Sequence, residues 1–132
     1  MADLPLLPAV EIQTGSQPTH AVIWLHGLGA DGHDFEPVAG QFDIARLPPT
    51  RFVFPHAPMR PVTINAGYVM RAWYDIVSLD FEEGREDPAG VRESAVQVEA
   101  LIAREHARGI PDGRIVLAGF SQGGAIALHT GL

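Results

Sequence analysis

Arg114-Ile115-Val116-Leu117-Ala118-Gly119-Phe120-Ser121-Gln122-Gly123-Gly124-Ala125 decides the fold. Its first five residues form an almost wholly apolar run, the pattern of a strand buried on both faces, as in a parallel sheet. Gly119 to Gly124 then turns the chain into a helix that begins near Gln122. The centre of the stretch, Gly119-Phe120-Ser121-Gln122-Gly123, matches G-x-S-x-G. In that motif the serine sits on a tight, strained turn between strand and helix. Small residues two positions to either side let the turn close without side-chain clashes. The hydroxyl is presented above the sheet, and the backbone N–H of Gln122 points to the same place. Three fixed residues in five are weak evidence alone; the preceding apolar strand and following small-residue helix supply the context the motif requires.

Working backwards, the same alternation recurs. Val10 to Gln13 reads as a first, peripheral strand. Ala21-Val22-Ile23-Trp24-Leu25 is a second doubly buried strand, followed by the glycine-rich loop His26 to Gly32. Asp34 is expected to cap a helix reaching about Leu47, with Phe35, Val38, Ala39 and Phe42 as its apolar stripe, ended by Pro48-Pro49. Arg51 to Phe54 is the next strand, stopped by Pro55. His56 to Asp80 is a long structured excursion, and the acidic run Asp80 to Asp87 reads as a solvated loop. Asp87-Pro88 opens a helix with a capping carboxylate and a proline at the first helical position. Val91, Ala95, Val98 and Ile102 give its buried stripe, and Gly109 and Pro111 end it. Alternating strands and helices define an α/β fold with a mainly parallel sheet, whose functional loops lie at the carboxyl ends of the strands.

Composition narrows the chemistry. The chain has 132 residues, 46% of them hydrophobic, with no cysteine and a formal net charge of −7. All nine basic residues are arginine. Without lysine there is no P-loop, Schiff base or Ser-Lys dyad; without cysteine there is no thiol nucleophile, disulfide or cysteine-ligated zinc. The acidic balance argues against nucleic acid and against an anionic membrane surface as partners. Met1 to Pro8 lacks a basic region and carries Asp3 and two prolines, unlike a signal peptide. No apolar run is long enough to span a bilayer, so the expected location is cytoplasmic.

His26-Gly27-Leu28-Gly29 follows the second strand directly. A carbonyl oxygen that becomes negative during acyl transfer needs two convergent donors. One comes from the residue after the nucleophile, here Gln122, and one from a loop after an earlier strand, here the N–H of Leu28. Gly27 to Gly32 also matches G-x-G-x-x-G, but Asp31, Asp34 and Glu36 put negative charge where a pyrophosphate would lie. Trp73, Tyr74 and Phe120 are candidate substrate-binding residues; for Trp73 and Tyr74, core packing is an equally good reading. Met70 and Arg71 are weaker candidates. His26 reads as a residue that orients backbone. His33 and His56 read as loop residues, His20 and His106 as surface residues, and no pair has metal-site spacing.

Together these residues resemble the carboxylesterase/phospholipase family of small α/β-hydrolases, which includes the acyl-protein thioesterases, and are closest to its small bacterial carboxylesterases. The likeness runs from about Ala21 to Leu132. It is carried by Val22-Ile23-Trp24-Leu25-His26-Gly27-Leu28-Gly29-Ala30-Asp31, Pro55-His56-Ala57-Pro58, Pro61-Val62-Thr63-Ile64-Asn65, Trp73-Tyr74-Asp75-Ile76 and Ala118-Gly119-Phe120-Ser121-Gln122-Gly123-Gly124-Ala125. The resemblance implies a Ser-His-Asp hydrolase of short- to medium-chain carboxylic esters, working without metal or cofactor. Ser121 is then the nucleophile, and Leu28 and Gln122 the oxyanion donors. Lysophospholipid and acyl-protein thioester hydrolysis are alternatives within the same chemistry, and a homodimer is compatible with the likeness.

The triad order in this fold is Ser, Asp, His. Only eleven residues follow Ser121, none of them acidic. His129 lies eight positions on in the same helix, about 12 Å along its axis, too far to act as base. Residues 1–132 are therefore expected to be the N-terminal part of a single α/β-hydrolase domain, truncated after the nucleophile helix and inactive alone. A reading from another class is a non-catalytic fragment with a binding or assembly role, pairing through an exposed sheet edge.

Overall fold

The computed structural model describes residues 6–41, 46–76 and 87–132. Among the described residues, six strands and two α-helices follow in chain order: β1 (Ala9–Gln13), β2 (His20–Leu25), β3 (Thr50–Pro55), β4 (Met59–Val62), β5 (Tyr68–Arg71), α1 (Pro88–Ala107), β6 (Ile115–Gly119) and α2 (Gln122–Gly131). Four strands form one sheet in the order β1-β3-β2-β6. β2 runs parallel to both β3 and β6, and β1 closes the β3 side as an antiparallel strand. β4 and β5 form a separate antiparallel hairpin within the excursion.

The unbroken apolar runs follow from burial on both faces. Alternate residues Ile23, Leu25 and Val53 join α1 and α2 residues Val98, Leu101 and Ile126 in one core. Phe52 and Phe54, with Val22, Trp24, Val10 and Ile12, form a second core on the opposite face. β6 is less covered: Leu117 packs on the first core, while Val116, in register with Val22, is 56% exposed.

The expected helix from Asp34 to Leu47 does not form as such. Residues Glu36–Gln41 wind as a short 3₁₀ helix, with His33 O accepting from Glu36 N and Phe35 O from Val38 N. Asp31, rather than Asp34, closes the preceding turn, its Oδ1 accepting from His33 N at 2.8 Å. Gly40 adds backbone entropy, and the six residues sustain only the tighter, shorter helix. Phe42, placed on that stripe, lies outside the described residues, as do Met1 to Pro5 and most of the acidic run, residues 80–86.

α1 starts as its sequence dictates: Asp87 caps it by accepting from Gly90 N at 3.0 Å, and Pro88 is its first residue. Gly109, with φ of 94°, lets the chain reverse so that Ile110 N reaches Glu105 O at 3.0 Å. The buried face is turned from the expected stripe. Ser94, Ala95, Val98, Leu101 and Glu105 are buried, while Val91 and Ile102 sit at its margin. The shift has a polar cause. Glu105, fully buried, accepts from Arg51 Nη1 of β3 and, at 2.9 Å, from Arg108 Nη1; Arg108 also reaches Glu11 of β1 at 2.7 Å. An ion-pair network thus ties α1 to the sheet where the apolar core ends.

Removing one partner of a buried ion pair leaves an uncompensated charge, so Glu105→Gln is expected to cost about 3 kcal/mol in urea unfolding. The Arg108 guanidinium, with help from Arg104 and Arg51, holds the Glu11 carboxyl below its ordinary value. A depressed carboxylate stabilises the fold above its unfolded pKa, and that contribution is lost as pH falls through the folded value. Stability is therefore expected to decline below about pH 4.3, the ordinary glutamate value. In Glu11→Gln, chemical denaturation across that range is expected to show a shallower decline.

Candidate active site

Ser121 stands at the carboxyl end of β6 with φ of 54° and ψ of −117°, a conformation that costs an ordinary L-residue roughly 1–3 kcal/mol. Its neighbours make the turn possible. A Cβ at Gly119 would stand 2.4 Å from Gly123 O; one at Gly123 would stand 2.3 Å from Leu25 O and 2.4 Å from His26 O. The start of α2 is therefore pressed against the end of β2. Phe120 N donates to Leu25 O at 3.0 Å, which ties the turn to the same strand. Ser121 is exposed and borders an open cavity of about 550 Å³ lined by Leu117, Gly119, Gly124, Ala125, Ala127 and Leu128.

The loop after β2 meets this turn. A Cβ on Gly27 would lie 3.2 Å from the Phe120 ring and 3.6 Å from Ser121 Cβ. Leu28, the next residue, is half-buried. Among the described residues neither Leu28 N–H nor Gln122 N–H donates to a protein acceptor. Other polar groups of the loop are paired within the protein. Gly29, with φ of 77°, donates its N–H to Arg71 O at 2.9 Å, and Ala30 N donates to Gly27 O at 3.2 Å.

The histidines are committed elsewhere. His26 is 1% exposed; its Nε2 accepts from Ala57 N at 3.0 Å, which leaves Nδ1 to donate to Gly27 O at 2.7 Å. Burial pushes its pKa down, so the ring is neutral and acts as a backbone brace. His56 Nδ1 accepts from Gly32 N at 2.9 Å; partial burial and nearby Arg71 lower its pKa. His33 pairs with Glu36, which raises its pKa, and His106 with Asp112. His20 contacts Thr19, and His129 is exposed on α2. Among the described residues none hydrogen-bonds to Ser121.

Of the expected substrate-binding residues, only Phe120 is open to solvent, 58% exposed beside the loop and 5.6 Å from the Phe35 ring. Trp73 is fully buried and Tyr74 is 8% exposed, both within the core. The placement of Trp73 is polar as well as apolar: its indole donates to His26 O at 2.9 Å. Arg71 braces the same region, with Nη1 donating to Ala57 O at 2.8 Å. The sequence reading missed the Gln122 side chain, which is buried and bonded to residues 73 and 74. It also missed Ser94, whose hydroxyl donates to Trp73 O. The usable signal for Ser94 was its position, between Val91 and Val98 on the stripe.

Comparison with known proteins places this geometry in a class. The chain matches the Phospholipase/Carboxylesterase family over residues 7–132, and it belongs to that family, with an α/β-hydrolase fold. It is 43% identical over 129 residues to acyl-protein thioesterase 1 of Yarrowia lipolytica, covering 97% of this chain and 57% of that protein. Among solved structures it is similar to Arabidopsis thaliana SOBER1, with a TM-score of 0.75 and 38% identity over 84% of this chain and 53% of that one. It is also similar to Zea mays acyl-protein thioesterase 2, with a TM-score of 0.78 and 29% identity over 93% and 50%. The chain thus spans about half the length of the relatives it matches.

The close approach at Gly123 is directly testable. Gly123→Ala forces a methyl group into backbone and is expected to destabilise the fold by at least about 2 kcal/mol, whereas Gly113→Ala, where nothing lies within 4 Å, should stay within about 0.5 kcal/mol. Parallel urea titrations check the contrast.

Proposed function

We propose that this chain carries the nucleophile and oxyanion half of a serine hydrolase that cleaves carboxylic esters and thioesters through an acyl-enzyme. The observation that carries the reading is the strained, exposed Ser121 flanked by two amides without protein acceptors, those of Leu28 and Gln122. Ser121 Oγ attacks the acyl carbonyl and loses its proton to a base; the alcohol or thiol leaves, and water then hydrolyses the acyl-enzyme. As the carbonyl oxygen gains charge, the two amides stabilise it, an effect worth about 10²–10³ in rate per donor. Phe120 borders the acyl group.

Each histidine present serves another partner or lies on a helix surface, and the relatives are nearly twice as long. The proposed source of the general base and its orienting acid is therefore sequence beyond these 132 residues. Similarity to acyl-protein thioesterases supports thioesters among the substrates.

The test compares the 132-residue chain with the complete product of its reading frame, using a short-chain chromogenic ester and an acyl-thioester. Turnover is expected from the longer product, and Ser121→Ala should lower it by about 10⁴-fold or more. Turnover by the short chain alone would overturn the claim about the base. Turnover insensitive to Ser121→Ala would overturn the assignment of the nucleophile.

A further inference from the structure

Gln122 has two ends, and they meet different parts of the site. Its backbone amide begins α2 next to Ser121. Its side chain, 3% exposed, turns inward: Oε1 accepts from Trp73 N at 2.7 Å, and Nε2 donates to Tyr74 O at 2.8 Å. This two-bond grip fixes the backbone at both ends of the Trp73-Tyr74 pair. Ser94 of α1 holds the peptide between them through Trp73 O. The indole of Trp73 then donates to His26 O at 2.9 Å, and its ring lies 5.3 Å from the His26 ring. His26 in turn bridges Gly27 O and Ala57 N. Every side chain in this chain of contacts is buried, with Trp73 and Ser94 fully so.

The path runs from the residue that follows the nucleophile, through Trp73, to the loop that presents Leu28 N–H. We infer that the Gln122 side chain and the Trp73 indole are positioning residues that fix the spacing between the two oxyanion donors. The inference rests on the proposed acyl-transfer reading and deepens it. The physical case is one of precision. A site on a loop is loose unless buried hydrogen bonds lock it, and a misplacement of about 1 Å can cost 10²-fold in rate. The loop His26–Gly29 is gripped at His26 O, Gly27 O and Gly29 N. Leu28 N, which has no protein acceptor among the described residues, is the amide proposed to face the substrate oxygen.

Trp73→Phe in the complete protein keeps an aromatic ring but removes the indole donor together with part of the buried ring system. It is expected to lower kcat about 10–100-fold with KM for a short-chain ester changed less than about threefold, because the lost alignment matters in the transition state. The inhibition constant of a trifluoromethyl ketone analogue should rise by the same factor as kcat/KM falls. Gln122→Met, which keeps the backbone amide and breaks both side-chain bonds, should show the same kcat-dominated loss and carries the test if Trp73→Phe folds poorly. A merely structural role would lower the urea midpoint without changing kcat or the analogue's affinity per folded molecule. That outcome, with Ser121→Ala still abolishing turnover, overturns the positioning inference and leaves the acyl-transfer reading standing. Turnover that survives Ser121→Ala overturns the reading beneath it.

Discussion

The backbone of Gly123 lies against the carbonyls of Leu25 and His26, with no space for a side chain. That contact joins the start of α2 to the end of β2, and the rest of the site depends on it. It sets the tight turn at Ser121, forces the residue to a positive φ, and brings the loop after β2 beside the serine. The parallel pairing of β2 with β6, Leu25 opposite Gly119, places both loops at the same edge of the sheet. Strain at one serine persists because the surrounding packing determines it.

A second, buried layer works from below. Apolar residues divide between two faces of the sheet, and polar residues occupy the places where segments without regular pairing must be held. Glu105 with Arg51 and Arg108 joins α1 to the sheet, and Gln122, Trp73, Ser94 and His26 join the excursion to the site. Such groups are stable when buried only because each finds a partner. The polar layer explains why the face of α1 that is buried carries a serine and a glutamate.

The four strands of the main sheet and the serine turn were legible because their signals are local, whereas the β4-β5 hairpin was read only as part of an excursion. A doubly buried strand reads as an apolar run, and G-x-S-x-G requires its glycines for closure within five residues. Asp87-Pro88 was legible for the same reason. The 3₁₀ segment Glu36–Gln41 was misread as a longer helix because apolar spacing does not register how much Gly40 weakens it. Trp73 was ambiguous from sequence because burial and pocket lining favour the same side chain. Its role is set by a carbonyl 47 positions away, which no local pattern encodes. The Gln122 side chain escaped notice because its motif specifies only a backbone amide.

The central claim is that Ser121 is a chemically activated nucleophile in the complete protein. The most direct measurement is labelling of that protein with a fluorophosphonate, followed by digestion and mass spectrometry of the modified peptide. A single adduct on Ser121, absent after heat denaturation, is the predicted result. An adduct on another residue, or none on native protein, would contradict the account.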